Sequence, residues 1–264
     1  MPRIGVAATA PFGAEVLERL AEGYEVAFCL TRPDRPRGRG RRVAPTAAKA
    51  VAERLAIPVL QPERLTSELE LDAEVVVVAA YGLLIPDSLL ERGLWLNVHP
   101  SLLPRWRGAA PVERALMAGD RETGVTIHRT VTQLDAGPIA AQRAFPVAEG
   151  DDAGAVFARA AVLAVELLGK VLPEPRFRPQ ADEGVTYANK IEAADRVLDP
   201  ALSAEQRLNR VRALSPHIGA VGEFGGRRLI VWRARLEGAE LVPVEVQPEG
   251  KRRMGYDEFL RGRR

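Results

Sequence analysis

The sequence predicts an α/β fold: a mostly parallel sheet followed by a small β-rich domain. Three observations carry that expectation. Short apolar strands alternate with helical stretches through the first part of the chain. Residues 74–80 include four consecutive valines, a run suited to a strand buried on both faces. Pro173, Pro175 and Pro179 punctuate a linker at 173–179, and beyond it apolar residues alternate with the period of antiparallel strands. A larger domain is therefore expected at 1–180 and a smaller one at 181–264.

In chain order, residues 3–8 form a strand, 13–22 a helix and 24–30 a second strand. A helix at about 46–56 and a short extended piece at 57–60 come next. The valine strand at 74–80 and a helical turn at 86–92 lead to a strand ending in Asn97 and His99. A helix at 109–118, strands at 124–129 and 138–146, and an Ala/Leu-rich helix at 151–170 complete the larger domain. Asp151 and Asp152 mark the start of that last helix. In the smaller domain Ser203 caps a helix to about residue 214. Strands at 227–235 and 240–247 are joined by a tight turn at Glu237-Gly238-Ala239, where Gly238 supplies the conformational freedom.

Composition excludes several classes. No apolar run approaches the roughly 20 residues of a membrane span, and the opening residues lack the layout of a signal peptide. One cysteine, Cys29, excludes an internal disulfide framework, and its apolar neighbours mark it as a core side chain. A cytoplasmic monomer is expected. No His/Cys cluster has metal-ligand spacing, so no metal is expected. The turn at 7–13 lacks the three spaced glycines of a dinucleotide fingerprint, and no phosphate loop is present.

Net charge is only +2, from 37 basic and 35 acidic residues, so its distribution matters more than its sum. Six arginines and one acid, Asp34, lie between Arg32 and Arg42. Lys251, Arg252, Arg253, Arg261, Arg263 and Arg264 crowd the C-terminus. Two basic clusters on a nearly neutral chain suggest a polyanion footprint. Gly38, Gly40, Pro33 and Pro36 rule out a helix for the first cluster, which is expected as an exposed loop.

The chemistry concentrates at Asn97, His99 and Asp135. Two residues apart on a strand, Asn97 and His99 point to one face, and Pro100 biases His99 toward an extended backbone. An amide and an imidazole pointing the same way can clamp an oxyanion. Asp135 brings a carboxylate on a Gly/Pro turn, which would favour the imidazolium and could accept a proton. Taken singly, each has an ordinary structural explanation as a turn or surface residue. His128 alternates with Val125 and Ile127 and is expected to face away from the core; it and His217 are both expected to be structural or surface residues.

Residues 97–104, Asn-Val-His-Pro-Ser-Leu-Leu-Pro, with Arg105 through Pro111 following, resemble the signature of the folate-dependent formyltransferases. Arg32 through Gly40, Ala80 through Pro86 and Gln247 through Arg252 agree with that family in the same order. The resemblance implies a Rossmann-like formyltransferase sheet followed by an OB-like domain. It also implies Asn97, His99 and Asp135 as the catalytic triad. Folate contacts fall to Tyr81, Gly82, Leu83, Leu84 and Ile85 and to Ser101, Leu102, Leu103 and Pro104. The implied co-substrate is 10-formyltetrahydrofolate, and the implied acceptor is methionyl initiator tRNA. Arg39 matches the family's tRNA-gripping arginine; Arg35, Arg37, Arg41 and Arg42, with Lys251, Arg252 and Arg253, would contact phosphates.

The chain departs from the family at two places. Ala8-Thr9-Ala10 stands where Gly-Thr-Pro is usual, and sequence after Leu236 is missing, so the OB-like domain is expected to be incomplete. Three other readings share parts of the pattern: a sugar-nucleotide N-formyltransferase, a noncatalytic RNA-binding homologue, and a formyl-folate hydrolase. Both basic clusters disfavour the first, and retention of Asn97, His99 and Asp135 disfavours the second.

Overall fold

The structure, a computed structural model, describes residues 2–37 and 42–262. The chain opens with β1 (Ile4–Ala8), α1 (Pro11–Ala21) and β2 (Val26–Leu30), then β3 (Arg35–Arg37) and β4 (Arg42–Ala44). Next come α2 (Ala47–Arg54), β5 (Val59–Leu60), β6 (Val75–Ala79), the single turn α3 (Asp87–Leu90) and β7 (Leu94–His99). The short β8 (Arg107–Gly108) and α4 (Pro111–Ala118) precede β9 (Glu122–Arg129), β10 (Ile139–Pro146) and α5 (Ala153–Val171). The remainder holds β11 (Tyr187–Ala188), a 3-10 turn at Ala194–Arg196, α6 (Ala204–Leu214), β12 (Ala220–Phe224) and β13 (Arg227–Glu237). It ends with β14 (Glu240–Pro248), β15 (Met254–Gly255) and α7 (Tyr256–Arg261). Two compact units divide the chain. One is Met1–Arg107, Gly124–Ala144 and Ala158–Thr186; the other is Gly108–Thr123, Phe145–Phe157 and Tyr187–Arg264.

The first unit is organised by a seven-stranded sheet in the order β10-β9-β7-β6-β1-β2-β5. β7, β6, β1, β2 and β5 pair in parallel, and β9 pairs antiparallel with β7. From β1 the chain runs outward through β2 and β5, then resumes on the other side of β1 with β6 and β7. The two directions part between β1 and β6, and crevices for ligands open at the carboxyl ends of strands at such a point. β1 and β6 are buried at every position, as the valine run requires. A Cβ on Gly13 would stand 2.1 Å from the Ala79 carbonyl oxygen, so α1 meets the end of β6 at a distance only glycine permits. Thr46 caps α2, its hydroxyl accepting from Lys49 N and sharing a buried hydrogen bond with the Thr31 hydroxyl at 2.8 Å. Cys29 lies fully buried in β2, and burial pushes its thiol up to about 12.

Two sequence expectations are corrected here. The first basic cluster is a short antiparallel hairpin and not a plain loop: Arg35 pairs with Ala44, Pro36 with Val43 and Arg37 with Arg42. A two-stranded ribbon has two free edges, so the hydrogen-bond donor that Pro36 lacks costs it nothing there. The proline-rich segment is not a free linker. Arg178 pairs with Ile139 through two backbone hydrogen bonds of 2.8 and 2.9 Å, because the residue between Phe177 and Pro179 keeps its N–H.

The second unit contains an antiparallel sheet in the order β12-β13-β14-β15. Glu237 pairs with Glu240 across Gly238-Ala239, and Gly238 has φ +60, the positive first position of a II′ hairpin turn. α6 packs on β12, β13 and β14. Leu198, Val211, Leu214, Leu229, Val231, Val246 and Phe259 form the core between them. The register shifts between Val231 and Ala234, which bends β13 at Trp232 and Arg233. α4 packs against α6, and Arg114 grips Asp195 through two hydrogen bonds of 2.8 and 2.7 Å, which hold that carboxyl below its usual range. No helix among the described residues is long and apolar enough to cross a membrane.

α6 opens with a complete capping box: Ser203 Oγ accepts from Gln206 N, and the Gln206 side chain accepts from Ser203 N. Ser203→Ala is expected to destabilise the protein by about 1 kcal/mol. In urea unfolding the midpoint falls and the slope stays unchanged. An unmoved midpoint would show that solvent replaces the cap.

Candidate active site

The site begins with the register of β7 against β9. Asn97 lies opposite His128 and His99 opposite Thr126. Directly opposed residues project to one face, so the four side chains share a face at the carboxyl end of β7. The connection from β9 to β10 then carries Asp135 back over them. Asn97 Nδ2 donates to Asp135 Oδ1 at 3.0 Å. His99 Nδ1 lies 3.7 Å from Asp135 Oδ2. The structure thus brings together the three residues that the sequence singled out. It adds one that was placed wrongly: His128 is buried, 1% exposed, with Nε2 3.6 Å from Asp135 Oδ1. The expectation that His128 faces away from the core assumed one solvated face, but β9 is buried on both faces from Thr123 to His128.

Asp135 sits at φ +46, in the left-handed region that side chains other than glycine avoid. Strain of this kind persists only where the surroundings impose it. Here they do so through the backbone. Gln180 Nε2 donates to the carbonyls of Asp135 and Gly137, at 2.7 and 2.8 Å. Arg107, buried itself, fixes Gln180 by donating to its Oε1 from Nε at 3.1 Å and from an Nη at 2.7 Å. A Cβ on Gly137 would stand 1.8 Å from the Arg129 carbonyl oxygen, so the turn closes against β9 with no room for a side chain. Sequence reasoning missed Gln180 and Arg107. The only signal was a polar residue beside the proline-rich segment.

His99 is enclosed. Its Nε2 contacts the Trp106 carbonyl oxygen at 2.8 Å, so this nitrogen carries a hydrogen and donates it. Trp106 is held at φ +65, with its N–H given to Thr186 Oγ1 at 2.9 Å. Burial lowers the His99 pKa from its ordinary 6.5; Asp135 pulls it back upward, His128 pushes it further down, and the Trp106 carbonyl raises it. Asp135 favours the imidazolium, as its charge requires, but loss of water around the ring outweighs one carboxylate at 3.7 Å and the net shift is downward. With Nε2–H given to Trp106, the uncharged form that burial favours turns its Nδ1 lone pair toward Asp135.

The two loops expected to hold folate follow adjacent strands, β6 and β7. Ser101 is fully buried and donates to the Arg105 carbonyl at 2.7 Å. Thr126 Oγ1 accepts from Leu103 N at 3.1 Å and donates to Ser101 O at 2.7 Å, tying residues 101–103 to β9. Gln142 adds a hydrogen bond to the Leu103 carbonyl at 2.9 Å, and the Leu103-Pro104 peptide is cis. Leu102 is half-buried. In the β6 loop, Tyr81 and Ile85 pack into the core with Leu83 against them, while Leu84 is 86% exposed and Gly82 takes φ +76. Burial pushes the Tyr81 phenol up to about 12, and its hydroxyl has no hydrogen-bond partner.

Of the expected nucleic-acid contacts, Arg35 is exposed on β3, and Arg37 and Arg42 flank the hairpin end. Arg39 and Arg41, with Arg263 and Arg264, lie outside the described residues. Lys251 and Arg252 are exposed. Arg253 lies 3.4 Å above the Trp232 ring and donates to the Pro216 carbonyl at 2.8 Å. His217 contacts Glu113 at 3.0 Å. Among the described residues no group of three His, Cys, Asp or Glu could hold a metal ion.

A family model described as formyl transferase matches residues 3–172. A methionyl-tRNA formyltransferase of Dechloromonas aromatica is 40% identical over 97% of this chain and 94% of its own length. That alignment spans 292 positions against 264 residues here, so the relative carries insertions that this chain lacks. Among solved structures, a methionyl-tRNA formyltransferase from Clostridium thermocellum superposes with a TM-score of 0.67 at 16% identity, covering 94% of this chain and 98% of the other. An N-formyltransferase of Helicobacter canadensis, solved with folinic acid and dTDP-3-aminofucose, gives 0.68 at 17% identity, covering 90% and 88%. At those identities the likeness is one of fold.

Two outcomes test this geometry. Gln180→Leu removes the grip on the strained turn; it should lower kcat by roughly 10–100-fold through misplacement of Asp135, while the fold survives by circular dichroism. An unchanged kcat would mean that Gly137 packing alone sets the turn. For His99 the linkage has a definite sign. Its folded pKa lies below 6.5, so the unfolded chain takes up more protons there, and the contribution to stability is present above about 6.5 and lost as pH falls. His99→Asn should therefore flatten the acid side of the stability–pH curve. Parallel curves for the two proteins from about pH 7 to 5 would contradict a ring buried neutral.

Proposed function

The chain belongs to the formyl transferase family, among the methionyl-tRNA formyltransferases, and from that premise we propose the reaction in detail. It moves the formyl group of 10-formyltetrahydrofolate to the amino group of methionyl initiator tRNA. The observation that carries this reading is the convergence of Asn97, His99 and a strained, largely enclosed Asp135 at the carboxyl ends of the sheet strands.

In the proposed reaction the amine nitrogen attacks the formyl carbon, and the carbonyl becomes an oxyanion. Asn97 Nδ2 carries two hydrogens; one is committed to Asp135, and the other serves the oxyanion. One such donor contributes roughly 2.7–4 kcal/mol in comparable acyl transfers. The neutral His99 accepts the proton that the amine sheds, directly or across Asp135. Its imidazolium then lies between the Trp106 carbonyl and the Asp135 carboxylate. As the bond from carbon to N10 of the folate breaks, that proton passes to N10. No proton is gained or lost overall. Tyr81, Gly82, Leu83, Leu84 and Ile85 form one wall of the folate site, and Ser101, Leu102, Leu103 and Pro104 the other. The exposed Leu84 is the residue free to cover a flat ring.

Arg39, with Arg35, Arg37, Arg41 and Arg42 of the same basic segment, grips the acceptor end of the tRNA. Lys251, Arg252 and Arg253 add phosphate contacts. On this reading residues 1–180 perform the chemistry and 181–264 assist tRNA binding, in a monomer working in the cytoplasm.

The test is incubation with 10-formyltetrahydrofolate and aminoacylated initiator tRNA, scored for formyl-methionyl-tRNA. Asn97→Ala and His99→Ala should each lower kcat by roughly 10²–10³-fold with folate affinity kept. Arg39→Ala should raise KM for the tRNA and leave folate binding alone. Faster formylation of a dTDP-amino sugar than of the charged tRNA would overturn the acceptor assignment.

A further inference from the structure

The buried histidine that sequence reasoning misplaced has a geometry that packing alone does not require. His128 Nδ1 lies 3.0 Å from the Arg129 carbonyl oxygen, so Nδ1 carries a hydrogen and donates it. Its Nε2 is buried with no hydrogen-bond partner, and points at Asp135 Oδ1 from 3.6 Å. His99 repeats the arrangement in mirror image: one nitrogen is given to a backbone carbonyl, and the other faces Asp135 Oδ2 at 3.7 Å. The two rings meet edge to face with centroids 6.3 Å apart. The ring nitrogen of each that is not given to a carbonyl therefore faces one carboxylate. A single added proton turns either contact into a charge-assisted pair.

We propose that His128 is a positioning residue for formyl transfer: it shares the Asp135 carboxylate with His99 and gives the proton shed by the acceptor amine a second place to sit before N10 takes it. This rests on the reaction proposed above. The amine loses one proton as its nitrogen bonds to the formyl carbon, and N10 gains one as its bond to that carbon breaks. Between those events the proton resides on the pair of rings joined by Asp135.

The groups facing His128 are few. Asp135 reaches it from the turn after β9 and His99 from β7, with the neutral Asn97 amide opposite on the same strand. The nearest guanidinium in the network, that of Arg107, is spent on Gln180. A second ring beside His99 also disfavours its protonation, secondary to burial. Removing the His128 ring must therefore move His99 upward.

The experiment uses the wild type, His128→Gln and His128→Asn. The glutamine amide can still reach Asp135 and the asparagine amide can still reach the Arg129 carbonyl, but neither titrates. The chain has three histidines, so ring nitrogen resonances of labelled protein are assignable by substitution. In both variants the His99 titration should move to higher pH by on the order of half to one unit. The acid limb of kcat/KM should move with it, and kcat at low pH should fall more than at high pH. An unmoved His99 titration in variants that melt like the wild type overturns the proposal, as does a kcat loss equal at every pH. The resonance measurement needs no turnover. If the wild type formylates no tRNA while the His99 shift is seen, the reaction fails and the coupling stands; the reverse result separates them the other way.

Discussion

The carboxylate of Asp135 is the charge around which the first unit is arranged. Its side chain is 9% exposed, and a carboxylate so enclosed needs partners for its oxygens. Asn97 supplies a hydrogen bond, and two imidazoles stand within 4 Å of its two oxygens, at 3.7 and 3.6 Å. To reach that position the backbone accepts a positive φ, which Gln180, Arg107 and the side-chain-free Gly137 enforce. The sheet brings β7 and β9 into the register that sets Asn97 opposite His128. The bonded loop at 101–103 then fixes the segment that ends in the Trp106 carbonyl. Remove the charge and most of these devices lose their purpose.

Much of this was legible in the sequence wherever a local rule decided the outcome. The buried valine run became β6, the serine cap opened α6, and the Gly238 turn joined β13 to β14, because each depends on residues close in the chain. Asn97, His99 and Asp135 were found through spacing and family pattern. What was missed depends on distant pairing. His128 is placed by strand register across the β7–β9 pair, and alternation along one strand could not reveal that both faces of β9 are covered. Gln180 acts on Asp135 from 45 residues away, and nothing nearby marks it. β12 escaped notice because Ala220, Gly222 and Phe224 give a weak apolar alternation; it is held by pairing with Arg227 through Val231.

The protonation state of His99 shows why naming a partner is weaker than weighing it. A carboxylate beside an imidazole suggests a cation. Yet the ring is enclosed, and the charge-free form is favoured because burial removes the water that a cation needs. A neutral ring changes the role that the residue can play. An imidazolium at rest could only donate to the oxyanion. In the proposed reaction a neutral ring, with Nε2–H already committed to Trp106, offers a lone pair to the amine proton.

On the proposed reading, the Asp135 network and the exposed basic residues answer to different physical demands. Transfer chemistry needs side chains held to fractions of an ångström, which buried hydrogen bonds and strained turns in the first unit provide. Recognition of a polyanion needs only positive charge within reach, and such contacts tolerate changes in the scaffold that presents them. The two-residue Gly238-Ala239 turn lies apart from the Asp135 network, since every group in that network belongs to the first unit. Stacked on Trp232 and bound to the Pro216 carbonyl, the Arg253 guanidinium is fixed in place at the cost of freedom to seek other partners. Lys251 and Arg252 are exposed beside it.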